Sequence, residues 1–121
     1  MYPFLLVMAK TVGSGLSDTL SYSVPRGEKL TITQLYFDST GTFNVTDIRN
    51  AKGMSYSNAL GNAAIPSTFF NDVTNQFNTL LNLVVPLELD GNDTLYIDVT
   101  DTSGGSNVIR FVANASKERV G

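Results

Sequence analysis

The alternation of apolar and polar residues is the most regular feature of this chain, and it is clearest near the carboxyl terminus. Residues 94–101 and 107–113 place apolar side chains at every second position, and the small residues 103–106 separate the two stretches. A period of two is typical of a strand with one buried face, and a run of Gly and Ser is typical of a turn. The pattern therefore predicts a β-hairpin with Leu95, Ile97 and Phe111 in the core.

Shorter stretches of the same kind fill the first half of the chain. The apolar run of residues 4–9 follows no basic residue, so we predict a buried strand there and not a secretory signal. In residues 29–37 the apolar positions change parity, because Leu30 and Ile32 fall on one face and Leu35 and Phe37 on the other. A bulge near Thr33 and Gln34, or a strand that passes from one sheet to the other, is needed to explain this change.

A long alternating stretch covers residues 77–89. Its apolar face is predicted to contain Phe77, Leu81, Leu83, Val85, Leu87 and Leu89. Pro86 interrupts the stretch and has no amide hydrogen, so we expect it at a strand end, a bulge or an edge, with Val85 and Leu87 pointing into the core.

Residues 50–73 lack a regular pattern and form a predicted irregular loop. Spacings of three and four among the apolar residues allow one or two helical turns around residues 67–74. A segment of this length without regular structure is typical of a functional loop. It predicts either a cap over the end of the fold or a surface ordered by a partner.

Together these stretches predict an all-β fold. Seven or eight short strands joined by turns are typical of an antiparallel two-sheet β-sandwich of the jelly-roll kind. The 121 residues are enough for a single domain, which we place over residues 1–121.

Composition removes most catalytic chemistry. The chain contains no His and no Cys, so histidine-dependent nucleophilic catalysis and the usual zinc ligands are excluded. The net charge of −3 argues against nucleic acid and anionic membranes as partners. We therefore predict a soluble protein that is not an enzyme and needs no cofactor or metal.

Carboxylates and tyrosines are the remaining candidates for chemistry. Asp98 and Asp101 are a candidate acid–base pair, although a solvated strand face explains Asp98 as well. The stretch 90–93 offers oxygen ligands for calcium, but it also reads as a hairpin turn. Tyr36, Tyr56 and Tyr96 are candidate exposed rings for sugar binding, whereas Tyr22, Phe37, Phe43, Phe77 and Phe111 are predicted in the core.

Two stretches resemble small β-sandwich accessory proteins of tailed bacteriophage particles, of the capsid-decoration and head-fibre type. The resemblance lies in "VVPLELDGNDTLYIDVTDTSGGSNVIRFVANASK" and "YSVPRGEKLTITQLYFDSTGTFNVTDI". In the first, a Pro-led strand and a turn precede a strand that ends in Val-Thr-Asp, a turn of small residues and a final strand. In the second, a Val-Pro-x-Gly turn leads into a strand, and a Gly-Thr-Phe hairpin follows. The resemblance implies a scaffold located in the virion that binds a symmetric protein shell through repeated contacts.

The resemblance and the missing chemistry together predict a non-enzymatic structural protein of a phage-like virion. The expected partners are copies of this chain and a capsid or other virion protein. The predicted interface consists of the apolar residues of the irregular loop: Met54, Tyr56, Leu60, Ile65, Phe69 and Phe70. A carbohydrate- or receptor-binding β-sandwich is the alternative.

Overall fold

The computed structural model describes residues 1–61, 63–72, 77–78 and 81–120. Within them, eight strands form two antiparallel four-stranded sheets. The first sheet contains, in spatial order, β1 (Tyr2–Val12), β10 (Asn107–Arg119), β3 (Glu28–Ser39) and β8 (Leu81–Asp90). The second contains β2 (Ser17–Ser23), β9 (Thr94–Asp101), β4 (Phe43–Asn50) and β5 (Ile65–Pro66). A 3₁₀ turn, η1 (Ser67–Phe69), and a small ribbon of β6 (Asn71–Asp72) and β7 (Phe77–Asn78) complete the described elements.

The pairing of the strands is that of a jelly roll. β1 pairs with β10, β2 with β9, β3 with β8 and β4 with β5, so the pairings are nested from the two ends of the chain inward. Pairing of β10 with β3 and of β9 with β4 joins them into two sheets. The predicted two-sheet sandwich of seven or eight strands is confirmed.

The core lies between the sheets and follows the alternation. β9 buries every second residue, including Leu95 and Ile97, and leaves the residues between them half-exposed. Phe37 lies at the centre of an aromatic cluster, with ring centroids 5.4 Å from Phe43 and 5.2 Å from Phe111. Rings at such separations pack in favourable tilted arrangements. The alternating residues of the last hairpin therefore contribute the core as predicted.

The change of parity in β3 is a bulge. Its register shifts against β8 between Ile32 and Gln34, and β10 shifts against it between Asn114 and Ala115. Because the bulge absorbs one residue, the apolar residues before and after it are buried on the same side of one sheet: Leu30, Ile32, Leu35 and Phe37. Of the two explanations predicted, the bulge is confirmed.

The first strand differs from its prediction. β1 lies at an edge of the first sheet and buries Leu6 and Met8, but Leu5 and Val7 on its other face are 63% and 56% exposed. Packing covers only one face of this strand, so the prediction of a wholly buried strand is wrong. A continuous apolar run gives no indication of which face is covered.

β10 extends to Arg119, six residues beyond the predicted end at Ala113. This extension places Lys117 at the margin of the core, where its ammonium lies 3.1 Å from a carboxylate oxygen of Glu28 and 3.9 Å from the ring centroid of Phe4. An ion pair and an aromatic face together offset the cost of burying the charge. The polar carboxyl-terminal residues 114–119 gave no apolar alternation, which is why the prediction ended too early.

At most one or two helical turns were predicted around residues 67–74, and the three-residue turn η1 forms within that range. No helix among the described residues has the length and apolar character needed to cross a membrane.

Candidate functional site: an apolar pocket at the β8 edge

An apolar pocket of about 190 Å³ opens between the two sheets, on the side where β8 and β5 are the edge strands. Both sheets, the loop after β4 and η1 contribute its lining residues: Leu35, Ile48, Tyr56, Ser57, Ile65, Phe69, Phe70, Leu83 and Leu87. None of these side chains carries a carboxylate, an amine or a thiol. The pocket is therefore suited to an apolar group and not to acid–base chemistry.

A large bulge in β8 shapes one wall of the pocket. Ile32 pairs with Leu87 and Gln34 pairs with Asn82, so residues 83–86 lie opposite the single residue Thr33. Pro86 has no amide hydrogen to donate, which fits its place in an edge strand that leaves the ladder here. Leu83 and Leu87, the lining residues of this wall, are half-buried and pack against the core.

The bulge also exposes two consecutive valines. Val84 is 99% exposed and Val85 is 80% exposed. Pro86 was correctly predicted at an edge or bulge and Leu87 on the core side, but the prediction that Val85 points into the core is wrong. Four residues in the bulge replace one in the ladder, so the alternation on either side does not continue through it.

Phe70 forms the floor of the pocket and Phe69 its rim. Phe70 is 2% exposed, and its ring centroid lies 4.5 Å from that of Phe37 and 5.1 Å from that of Phe69. Phe69 is 56% exposed. Neighbouring residues of this turn thus differ completely in burial, one in the core of the chain itself and one at the surface.

Hydrogen bonds to β4 fix this turn in place. Ile65 of β5 pairs with Val45, and the buried hydroxyl of Ser67 accepts a hydrogen bond from the amide of Phe43 at 3.2 Å. Because the backbone is held at both points, the two phenylalanine rings that follow Ser67 are positioned by main-chain contacts as well as by packing.

Tyr56 forms the opposite wall. Its amide donates to the carbonyl of Ile48 at 2.7 Å, and its hydroxyl accepts a hydrogen bond from Asn50 Nδ2 at 3.1 Å. Asn50 Oδ1 also accepts hydrogen bonds from the amides of Lys52 and Met54, which shapes the loop after β4. Burial raises the pKa of the Tyr56 phenol, although the hydrogen bond with Asn50 opposes this shift. Tyr56 is therefore a neutral hydrogen-bonding group at the wall of the pocket.

Four of the six predicted interface residues meet at this pocket: Tyr56, Ile65, Phe69 and Phe70. Met54 and Leu60 are exposed and do not line it. Phe70 is enclosed by its own chain, so it is not accessible to a partner in this conformation. The segment therefore caps the core with some apolar residues and exposes others.

Sequence reasoning missed the contribution of β8 to this surface. In the sequence, Val84 and Val85 are part of one alternating stretch, which predicts that they lie on opposite faces of a strand. No pattern in the sequence indicates a bulge of this size. The presence of Pro86 was the one signal that the ladder is interrupted. We call the pocket together with Phe69, Val84 and Val85 the pocket edge.

The predicted carboxylate pair is separated in the structure. Asp98 lies on the outer face of the second sheet, where Arg49 Nε donates to it at 2.9 Å and Thr19 Oγ1 donates at 2.5 Å. Burial alone would raise the pKa of Asp98, but these two hydrogen bonds outweigh it and lower the pKa below its ordinary value. Asp98 is thus an ionised partner of Arg49.

Asp101 points to the other side of β9 and is buried. Its carboxylate accepts hydrogen bonds from the hydroxyl and amide of Ser103, the amide of Gly15 and Nδ2 of Asn107. The bonds from Ser103 and Gly15 hold the pKa of Asp101 well below its ordinary value. This carboxylate joins the β1–β2 loop to the β9–β10 loop, and it shares no site with Asp98.

Asp47 is a buried carboxylate that the sequence did not single out. It pairs with Asp98 across the β4–β9 ladder, on the outer face of the second sheet. Its Oδ2 accepts a hydrogen bond from Ser55 Oγ at 3.4 Å and lies 4.0 Å from Arg49 Nε. A register shift of β4 after Val45 turns Asp47 to this face. Arg49 thus lies between the two carboxylates, as an ion-pair partner of both.

The remaining predicted sites have mainly structural contacts. Asp93, in the turn considered for calcium, accepts hydrogen bonds from the amides of Ala51 and Thr94. The described residues contain no cluster of three or more acidic side chains placed to hold a metal ion. Tyr36 and Tyr96 are half-buried, and the guanidinium of Arg49 lies 4.5 Å from the ring centroid of Tyr96, which covers the face that a sugar would need.

Comparison with known proteins adds little to this geometry. No family model matches the chain, and no curated protein sequence matches it. Its backbone is similar to the crystal structure of the Drosophila NLP core, a structure described for pentamer formation and histone binding. The similarity covers 91% of this chain and 97% of that chain, with 16% identity and a TM-score of 0.31. A likeness this low carries no argument about function.

Proposed function

We propose that this chain is a non-enzymatic structural protein of a phage-like virion, which binds copies of itself or a capsid protein through the pocket edge. The observation that carries the proposal is the nearly complete exposure of Val84 and Val85 beside an apolar pocket. Large apolar side chains grouped in this way mark a surface that another protein covers. Two observations support the assignment to a virion: the sequence resemblance, and the jelly-roll fold, which capsid proteins share with other classes of protein.

The size of the apolar surface favours repeated contacts over one strong contact. Full burial of a Val or Phe side chain contributes about 1.5–3 kcal/mol. Because Phe69 is only 56% exposed, covering Phe69, Val84 and Val85 contributes about 3–7 kcal/mol in total. Association of two free proteins costs about 4–15 kcal/mol, which is of the same order. A single contact is therefore weak, whereas many equivalent contacts in a symmetric shell reinforce one another.

The pocket gives such a contact its specificity. A cavity of about 150 Å³ lined by aliphatic and aromatic side chains can hold a molecule the size of benzene, and this pocket is somewhat larger. One branched or aromatic side chain of a partner fits it. Tyr56 and Ser57 provide the polar groups at its wall.

Particle binding by paired variants tests this proposal. Phe69→Ser combined with Val84→Ser removes two of the three exposed apolar groups of the pocket edge and spares Phe70, whose substitution would destabilise the fold. The matched control is Val120→Ser, because Val120 is 55% exposed, close to the 56% of Phe69, and follows β10, an inner strand of the first sheet. We expect all variants to keep the thermal midpoint of the wild type, and only the paired variant to lose assembly into particles.

Mass spectrometry of purified particles from the source provides the second arm of the test. The proposal expects this chain among the virion proteins. Absence of the chain from particles, normal assembly of the paired variant, or retention of a monomer on a glycan column would each contradict it.

A further inference from the structure

The four edge strands of the sandwich differ in how well they can pair with another strand. β5 has two residues and ends in Pro66, and the bulge with Pro86 interrupts β8. β2 has seven residues, five of them Ser, Thr or Asp. β1 has 11 residues and stays in register with β10 from Tyr2 to Val12 without a shift. Only β1, among the edges described, is long and regular.

An edge strand carries a row of backbone N–H and C=O groups with no partner in its own sheet. Natural sheets protect such rows with charges, prolines, bulges or short length. Residues 4–9 of β1 contain none of these devices. The one charged residue of the strand, Lys10, already binds Asp18 of β2 at 2.8 Å. The middle of β1 is therefore open to a further strand.

The outer face of the first sheet continues this apolar character. Val7 pairs with Val112 of β10, and Val112 pairs with Tyr36 of β3, so three apolar side chains form a row across three strands. Val112 and Tyr36 are half-buried, whereas Val7 at the end of the row is exposed. A neighbour that adds an apolar side chain next to Val7 extends the row and covers it.

We propose that β1 pairs antiparallel with β1 of a second copy around a two-fold axis near Val7, which joins the first sheets of two chains into one continuous sheet. A second β1 strand places an apolar side chain next to Val7, as the row of apolar residues requires. Around a two-fold axis, each residue on the outer face of one copy lies beside a residue on the outer face of the other. Leu5 and Val7 lie next to apolar residues in this register. Apart from Pro3, which has no amide hydrogen, the residues of both edges then have partners for their backbone groups.

Charge and area both fit a second copy. With the axis at Val7, the two Lys10 side chains lie about 20 Å apart along the ladder, and each is neutralised by its own Asp18. A ladder of this length is about 37 Å long, and a sandwich edge two sheets deep is about 20 Å thick. The contact then buries about 700 Å² on each partner, or about 1,400 Å² in total, within the range of stable interfaces.

The proposed dimer uses the edge of the sandwich opposite to the pocket edge. An experiment can therefore contradict the dimer without contradicting the proposed contact at the pocket edge, and the reverse. The experiment is sedimentation equilibrium of the full chain in a Val84→Lys background, which disables the pocket edge. We expect a discrete species of twice the monomer mass. A Val7→Lys substitution places two like charges at the axis, and we expect it to weaken dimerisation at least about tenfold; Val7→Glu should do the same.

Mixing the two charged variants provides the decisive arm. Lys and Glu then face each other at the axis, so an equimolar mixture should recover the dimer, and this recovery also shows that both variants fold. Val108→Lys is the control, because Val108 lies on the same outer face of the sheet but in β10, one strand from the edge. A monomeric Val84→Lys chain at about millimolar concentration, a Val7→Lys chain that dimerises normally, or a mixture that stays monomeric would each overturn the proposal.

Discussion

The two edges of the first sheet present different kinds of surface. The β1 edge is a straight ladder that offers backbone hydrogen bonds, with the exposed side chains of Leu5 and Val7 beside it. At the pocket edge, a four-residue bulge interrupts the hydrogen-bonded ladder of β8, and the surface there consists of exposed side chains and a cavity. One sheet can therefore form two contacts that do not compete. A partner at the β1 edge binds through backbone hydrogen bonds, and a partner at the pocket edge binds through apolar side chains.

The comparison also shows how closely each surface depends on the core. At the pocket edge the exposed Phe69 rests on the buried Phe70, and at the β1 edge the exposed Leu5 is followed by the buried Leu6. Each edge thus offers two adjacent residues, one structural and one available for binding. Substitutions within these pairs separate folding from assembly.

The largest effect is expected at the floor of the pocket. Phe70→Ala removes a ring packed against Phe37 and leaves a cavity, so we expect it to lower the free energy of unfolding by about 3–5 kcal/mol. Phe69→Ala should cost less than about 1 kcal/mol. Denaturant titration of the two variants measures the difference. Equal midpoints would mean that the two rings have been assigned to the wrong sides of the turn.

The same comparison at the β1 edge should give a slightly smaller effect. Leu6 is buried between the sheets, so Leu6→Ala is expected to cost about 2–4 kcal/mol. Leu5→Ala, one residue away, should leave the stability of the monomer nearly unchanged. If Leu5→Ala proved as destabilising as Leu6→Ala in a monomeric sample, the outer face of β1 would not be free.

Acid should distinguish the two edges. The folded state lowers the pKa of Asp101, so its stabilisation is present above the ordinary carboxyl pKa of about 4 and is lost as the pH falls through and below that value. Asp101 accepts a hydrogen bond from the amide of Gly15 in the loop between β1 and β2, whereas the described lining residues of the pocket carry no carboxylate. Acid therefore removes a stabilising contact on the β1 side.

Thermal midpoints of the wild type and Asp101→Asn across a pH series measure this effect. The difference between the two proteins should be largest near pH 7 and should shrink below about pH 4, where the carboxylate of Asp101 binds a proton in the unfolded wild type but not yet in the folded one. A difference that is the same at every pH would show that Asp101 acts through shape and not through its charge.

The smallest effect is expected at the tip of the bulge. Val84→Ala should change the free energy of unfolding by no more than about 0.5 kcal/mol, because the side chain is almost fully exposed. A denaturant titration that found a cost above about 1.5 kcal/mol would place Val84 in the core, and the proposed role of the pocket edge would lose its basis.

The sequence predicts those parts of the fold where one face of a strand is apolar and the other polar. β9 is such a strand, and its buried residues were identified correctly. The bulge in β3 was also predictable, because a change of parity between Ile32 and Leu35 can be seen in the sequence itself. Local patterns of period two thus locate most of the strands, whereas the order of the strands in each sheet comes from the structure.

The pocket edge could not be predicted in the same way. Its lining comes from distant parts of the chain, such as Leu35, Ile65 and Leu87, which only the nested strand pairing brings together. Alternation extended through residues 83–86 gave Val85 the wrong side, since the pattern does not reveal a bulge that absorbs several residues. Period two also gave no way to separate Phe69 from Phe70, because both are apolar and adjacent.

The most direct test of the central claim is chemical labelling at the pocket edge. The chain has no cysteine, so Val84→Cys introduces a single thiol, and Val120→Cys provides an equally simple control at an exposed residue after β10, an inner strand of the first sheet. Maleimide should modify both thiols rapidly in the isolated subunit. In assembled particles we expect the thiol at position 84 to be strongly protected and the thiol at position 120 to react as before. Equal reactivity of the position 84 thiol in the free and assembled states would contradict it.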